Sequence, residues 1–395
     1  MELFYKMIKV IEIILFVWCA AATLYMLVYA IFGLIYNKKN KKKLILNDED
    51  APRVAVIIPA YKEDSVIVKT AEAALNQIYP VGKLQVVVVA DNLQDMTVVK
   101  LNRLPIKIIP VSFENSTKSK AINAALNSIP DYFDLVMVLD ADNIIRPDFI
   151  GLMAEAFKQG HKAIQGHRTA KNFNTPTAIL DGISEEINNT IFCKGQQYIG
   201  MSSRLTGSGM AFDYPLFKEL MASINAVGGF DKELELQLIL SNAKIHYVPE
   251  AEIYDEKVSK SEVLTKQRSR WISSQFHYMK KYLPTGLVEL VKHRNVDYFN
   301  KSFQLAIPPR VLMVLLIAVG FGLSMLGNYS SFPFTWIILL VAYLSVFIIA
   351  FPTKFLTLKT LQLVYVLPMA IIKMIFSMPS LFTANKKFIH TPHGV

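Results

Sequence analysis

"DLVMVLDADN", Asp134 to Asn143, decides how this chain is read. Its first half is an unbroken apolar run of the kind that forms a strand buried on both faces, and it ends in two carboxylates, Asp140 and Asp142. "VAVIIP" (Val54 to Pro59) and "LQVVVVAD" (Leu84 to Asp91) are β-branched runs of the same kind, and "IKIIPV" (Ile106 to Val111) reads as another. Between the first two, Asp64 to Gln77 has helical composition, and "SKAINAALN" follows "IKIIPV" as a helix. Alternation of strand and helix predicts a doubly wound α/β sheet over about Pro52 to Lys260, whose ligand lies beyond the carboxyl ends of the strands. Polar residues stand at those ends: Tyr61 and Glu63, then Asp91, then Asp140 and Asp142.

Two carboxylates at i and i+2 on a strand terminus can bind a hard divalent cation and present it to a diphosphate. Taken alone, such a pair is also ordinary strand-end turn chemistry, and it is the position in the sheet that favours a site. Asp91 can accept from a base or ribose, or simply cap a helix. Lys118 can reach a phosphate, or be a solvated lysine. No G-x-G-x-x-G follows the first strand and no G-x-x-x-x-G-K-[ST] occurs, which argues against a dinucleotide-dependent dehydrogenase and a P-loop ATPase.

Of the 395 residues, 52% are hydrophobic and only 19% charged, so part of the chain is expected in lipid. The net charge of +10 then reads as lysine and arginine kept on cytoplasmic loops, with no nucleic-acid partner. Cys19 and Cys193, the only cysteines, make neither a disulfide framework nor a metal cluster. No cleavable signal peptide is evident, because the first apolar run is long and lacks a small-residue cleavage site. Ile13 to Tyr36 is uncharged and long enough to cross a hydrocarbon core of ~30 Å. "NKKNKKK", Asn37 to Lys43, follows it and places the N-terminus outside and the remainder in the cytoplasm. Val311 to Thr353, broken by "GNYSS" at Gly327 to Ser331, reads as a spanning hairpin, with Lys354 and Lys359 marking the return. Leu361 to Phe382 holds Lys373, Pro368 and Pro379 and precedes Lys386 and Lys387, and an in-plane interfacial helix is preferred to a span there.

"TKQRSRW", Thr265 to Trp271, crowds an amide, two guanidinium forks and an indole just ahead of that hairpin. Basic residues meeting lipid headgroups is one reading. A site that holds a phosphate and stacks a flat ring is the other.

"IIPAYKED", "VVADNLQDMT", "KSKAINAAL", "LDADN" and "QRSRW" occur in the order and rough spacing of glycosyltransferase family 2. The chain most resembles the membrane-integrated branch of cellulose, hyaluronan and poly-N-acetylglucosamine synthases, from about Val54 to Trp271. The resemblance implies a GT-A-type doubly wound mixed sheet with transmembrane and interfacial helices. Pro59, Ala60, Tyr61, Glu63 and Asp91 would line the nucleotide pocket, with Lys118 near it. Asp140 would contact the nucleotide and, with Asp142, hold Mg²⁺ or Mn²⁺. Gln267, Arg268 and Arg270 would close over the diphosphate, and Trp271 would stack on the acceptor. The chain departs from the family at T-E-D, whose Asp is the base. Here the segment is "FDKELELQL", and the register chosen puts Glu233 in that place and Glu235 at the following acid. Asp231, or Glu185 and Glu186 in "ISEEINN", are the alternatives. "LTGSGMAF", Leu205 to Phe212, would form the acceptor-side wall, while Gln165, His167 and Arg168 take no assigned role.

The expected activity is inverting transfer of a hexose or N-acetylhexosamine from a UDP-sugar to a growing polysaccharide, or alternatively to a membrane lipid. An oligomer or export partner would suit a processive synthase with so few spans. The expected location is a bacterial-type inner (plasma) membrane, multi-pass, with a cytoplasmic catalytic domain. The expected segments are 1–43 (first span and basic flank), 44–260 (transferase domain), 261–307 (Q-x-x-R-W and interfacial helices), 308–353 (hairpin) and 354–395 (interfacial helix and tail). A transporter with a nucleotide-binding domain is weakened by spans nearly free of ionisable residues. An inactive sugar-nucleotide scaffold has only the T-E-D departure in its favour.

Overall fold

The structure, a computed structural model, describes residues 2–36, 49–259, 261–325, 333–357, 360 and 363. The lysine run 37–43, the turn 327–331 and all of the last apolar segment but residue 363 lie outside the described residues, as do Lys359, Lys386 and Lys387.

A long helix, α1 (Glu2–Tyr36), precedes an α/β domain. That domain opens β1 (Val54–Tyr61), α2 (Ile67–Leu75), β2 (Leu84–Asp91), α3 (Asp95–Leu101), β3 (Lys107–Val111), α4 (Lys118–Ser128) and β4 (Leu135–Val138). It continues through β5 (Ile144–Ile145), α5 (Phe149–Lys158), β6 (Ala163–Ala170), α6 (Pro176–Asn188), a π-helical turn at Asn189–Gly195 and the short α7 (Gln196–Tyr198). β7 (Met210–Asp213), α8 (Tyr214–Ser223), α9 (Phe230–Leu240) and β8 (Ile245–Asp255) complete it. After it come α10 (Ser261–His293), α11 (Val296–Ala306), α12 (Arg310–Met325) and α13 (Pro333–Ile349).

The eight strands form one sheet in the order β3-β2-β1-β4-β7-β6-β8-β5. β1 pairs in parallel with β2 and β4, and β2 with β3, whereas β7 runs antiparallel to both β4 and β6. The sheet is therefore mixed, as the resemblance implied. Along β1 the side chains alternate between its faces: Ala55 and Ile57 join the core under α4, α8 and α9, while Val54, Val56 and Ile58 join the core under α2 and α5. Burial on both faces is what the unbroken apolar runs require, each fully buried Val or Ile contributing ~1.5–3 kcal/mol. β4 stops at Val138 because the chain turns: the Asp140 N–H donates to Asn143 Oδ1 at 3.3 Å and the Asn143 N–H to the Asp140 carbonyl at 3.2 Å. Helices facing the site are capped locally, α4 by Thr117 accepting from the Lys120 N–H at 3.3 Å and α6 by Thr175 accepting from the Ala178 N–H at 3.2 Å.

Among the described residues one helix, Lys6–Tyr36 within α1, is by itself long and apolar enough to cross a bilayer. α11 and α12 pass together only as a pair bent by 72°, and the apolar stretch of α13, Phe334–Ile349, is shorter. α1, α12 and α13 share a core that includes Cys19, Met26, Ile317, Trp336 and Tyr343. Their outer faces leave Ile14, Val17, Leu24, Phe334, Ile338 and Ile348 exposed, more contiguous apolar surface than water favours. The C-terminal half of α1 meets the π-helical turn backbone to backbone. A Cβ on Gly195 would lie 2.0 Å from the Tyr29 carbonyl oxygen, and one on Gly33 2.2 Å from that of Thr190, so only glycine fits at either point.

Candidate active site

One cavity of about 590 Å³ collects the strand ends. Pro59, Ala60 and Tyr61 close β1 on its wall, joined by Glu63, by Asp91 at the end of β2 and by Lys118 at the first turn of α4. Asp91 is 2% exposed, and burial raises its carboxyl above the ordinary range against the lowering pull of a Ser116 hydrogen bond and the Lys62 charge. Lys118 Nζ bridges the Asp140 carboxylate and the Gly207 carbonyl, the latter at 2.7 Å.

Asp140 and Asp142 are joined by Asp255, the last residue of β8, with one ligand oxygen from each within 4.8 Å of the others. Three carboxylate oxygens so grouped are a donor set for a hard divalent cation, so the residues present fit a metal. Asn143 Nδ2 donates to Asp142 Oδ1 at 3.2 Å and to Asp255 Oδ1 at 3.0 Å, and so orients both carboxylates. Behind them lies a buried charge cluster. Lys257 Nζ donates to Asp255 Oδ2 at 2.7 Å and also to Glu185, which in turn pairs with Arg168. Burial alone would raise the Asp255 carboxyl, but Lys257 and Arg168 outweigh it and hold it below the usual range.

Gln267, Arg268, Arg270 and Trp271 all reach the same cavity from α10. Arg268 Nη2 pairs with Asp181 at 3.3 Å, Trp271 is 45% exposed, and the buried Gln267 Oε1 has no hydrogen-bond partner among the described residues. Glu233, the residue expected as base, is not among those that line the cavity. Its carboxylate accepts from Lys281 Nζ at 2.6 Å and Tyr282 OH at 2.7 Å, on the side of α9 that packs against α10. Asp231 and Glu235 line the cavity instead. Glu235 is 5% exposed and accepts from the Leu205 N–H, and burial raises its carboxyl. Asp231 sits in the first turn of α9, where the helix dipole favours negative charge.

Glu185 also lines the cavity, where it is held by Arg168 and Lys257, whereas Glu186 does not. Glu186 accepts from His167 Nε2 at 3.0 Å and Lys354 Nζ at 2.6 Å, and these two partners overcome the effect of burial and hold its carboxyl low. Gln165 ties down the 205–209 loop, donating to the Ser208 carbonyl at 3.0 Å and accepting from the Thr206 N–H at 2.9 Å.

A mixed sheet of this order, with acids gathered at its strand ends under an arginine-bearing helix, is the architecture of a GT-A-type transferase. A solved mannosyltransferase from Pyrobaculum calidifontis, PcManGT in complex with GDP-Man and Mn²⁺, shares that fold, with a TM-score of 0.59 at 16% identity, covering 93% of this chain and 98% of that one. The chain belongs to the family described as Glycosyltransferase like family 2, which matches residues 52–274, more than half its length. Among its relatives, a probable glycosyltransferase, YdaM, of Bacillus subtilis is 26% identical over 62% of this chain and 60% of its own length. A poly-beta-1,6-N-acetyl-D-glucosamine synthase of Staphylococcus epidermidis is 24% identical over 63% of this chain and 62% of its own length. An N-acetylglucosaminyltransferase of Rhizobium leguminosarum bv. viciae is 23% identical over 73% and 69%.

Proposed function

We propose that this chain is a membrane-bound, metal-dependent inverting glycosyltransferase. The observation that carries the reading is one cavity shared by a carboxylate triad, the strand-end nucleotide residues and the α10 arginines. Tyr61, Glu63 and Asp91 would hold the nucleoside of a UDP-sugar. Asp140, Asp142 and Asp255 would hold Mg²⁺ or Mn²⁺, which supplies positive charge opposite the diphosphate. Arg268 and Arg270 would take the charge that develops as the diphosphate leaves, a task suited to guanidinium forks. Asp231 would accept the proton of the acceptor hydroxyl as its oxygen attacks the anomeric carbon from the face opposite the leaving group. The partnerless Gln267 Oε1 would accept from a sugar hydroxyl.

The names of the relatives support N-acetylhexosamine transfer to a growing polysaccharide. A specific observation favours a lipid acceptor: Met26 of α1 and Val311 of α12 stand in the cavity wall, so the acceptor end is open to the apolar helices. In this reading α1 and the α12–α13 hairpin anchor a cytoplasmic domain at the inner membrane, and the five expected segments stand as its layout.

The test is release of UDP from a panel of UDP-sugars by the purified full chain, with Mn²⁺ or with chelator. Asp142→Asn should reduce turnover by roughly 10²-fold or more while the protein stays folded and inserted, since the cation site loses a charged ligand. Undiminished turnover in excess chelator would exclude the metal role.

A further inference from the structure

Beyond Asp231 the cavity wall changes character. Met26 of α1, Ile191 of the π-helical turn and Ile307 before α12 line it, and all three belong to the apolar core that joins α1 to α12 and α13. Set into this apolar wall are Arg204 and Arg310. Among the described residues Arg310 donates to neutral acceptors, Ser184 Oγ at 2.8 Å, the Ser184 carbonyl at 3.3 Å and Asn188 Oδ1, and lies over the Phe347 ring; Ser184 and Asn188 line the same cavity. The Arg204 guanidinium has no hydrogen-bond or ion-pair partner among the described residues. The nearest acids act on them only from a distance: Asp181, itself paired with Arg268, on Arg310, and Glu235, which accepts from the Leu205 N–H, on Arg204. Two guanidinium groups without a carboxylate contact, held where water is restricted, favour an anion. A neutral saccharide chain would call for hydroxyl acceptors and stacked rings, whereas a phosphate matches the planar fork. An apolar wall beside that fork selects a ligand that is apolar at one end and anionic at the other.

We propose that the acceptor is a membrane lipid whose headgroup carries a phosphate seated on Arg204 and Arg310 and a hydroxyl turned toward Asp231, its tails leaving along α1 and α12. The inference rests on the transfer reading above and deepens it. In the step, the headgroup O–H proton passes to Asp231 and the new bond forms between that oxygen and the anomeric carbon. The bond from that carbon to the diphosphate breaks, and the nucleoside diphosphate departs with the electron pair. The lipid phosphate is bound throughout and is not consumed.

The experiment uses the detergent-purified full chain and three probes without donor: short-chain phosphatidylglycerol, diacylglycerol of the same tails, and inorganic phosphate. Binding is read by titration and by native mass spectrometry. The expected result is saturable binding of one phosphatidylglycerol, weaker binding of the other two, and loss of roughly tenfold or more in affinity for Arg204→Gln. Arg204→Lys should recover part of it. Diacylglycerol binding as tightly as phosphatidylglycerol would overturn the proposal, as would an unchanged affinity in folded Arg204→Gln. Inorganic phosphate binding as tightly as the lipid would also overturn it, assigning the arginines to a free anion. If Arg204→Gln fails to fold, the probe comparison on the parent and Arg204→Lys still decides. UDP binding with Mn²⁺ is measured alongside. A parent that binds lipid but no UDP sinks the transfer reading and the acceptor role with it, whereas one that binds UDP but no lipid sinks the lipid assignment alone.

Discussion

Asp231 and Glu233 differ by two positions on α9, and an α-helix rotates by about 200° over two residues, so they face opposite ways. Asp231 and Glu235, four apart, share the cavity face, while Glu233 meets Lys281 and Tyr282. Asp231→Asn should therefore lower sugar transfer by roughly 10²–10⁴-fold, the weight of a positioned base, with UDP binding little changed. Glu233→Gln should retain turnover close to the parent, and the two variants assayed side by side for transfer and UDP affinity decide between them. A dead Glu233→Gln beside an active Asp231→Asn would reverse the assignment. The strand-end acids Asp91, Asp140 and Asp142 were legible because an apolar run that stops in a carboxylate marks a buried strand reaching a ligand edge. Asp255 escaped because it lies 113 positions beyond Asp142, on a strand brought near by the antiparallel insertion of β7 and the pairing of β6 with β8. The acids alternate along "DKELE", and only the rotation of the helix sorts them into a cavity face and a packing face, which the sequence pattern alone does not do.

At the scale of elements, β8 and the approach to β6 carry a pair of imidazoles whose rings stack, His161 on His246, with centroids 3.7 Å apart and planes 4° off parallel. Burial, and then the His161 charge, depress His246 to about 4, from an ordinary value near 6.5. The unfolded chain binds that proton at higher pH than the folded one does. Stability from this pair is thus complete above about pH 6.5 and is lost as pH falls toward 4. Thermal unfolding of the parent and of His246→Gln between pH 7.5 and 4.5 should show the parent losing its margin over the variant as pH falls, by an amount on the order of 1–3 kcal/mol. A pH-independent difference would remove the imidazole from the account. α10 is the element that composition described least well. It runs through Pro284 and carries both the cavity group at Gln267 to Trp271 and the Lys281 and Tyr282 contacts to α9, so one helix roofs the site and braces its neighbour.

The whole molecule joins an α/β domain to three apolar helices through α6 and the π-helical turn. α6 presents Asp181 to Arg268, Ser184 and Asn188 to Arg310, Glu185 to Lys257, and Glu186 to Lys354, so a single helix links the metal side to both ends of the hairpin. Because Lys354 follows α13 and bonds to Glu186, the end of the hairpin returns to the domain. A cysteine introduced at Leu3, 73% exposed, should be modified by a membrane-impermeant reagent on intact cells, and one at Val81 in the domain only after lysis. Both native cysteines are buried, so the background should be low. Modification of Val81→Cys from outside would invert the topology. The glycine contacts between α1 and the π-helical turn bear also on how the protein is made. Gly33 leaves the ribosome some 160 residues before its partner segment at Thr190 to Gly195. During that interval the helix must wait with an uncovered groove, and lipid tails are its natural temporary occupant. If the chain is membrane-bound as proposed, the nascent domain would finish by displacing lipid from a surface already in place, and insertion of the first helix would be a step in folding the enzyme as well as in anchoring it.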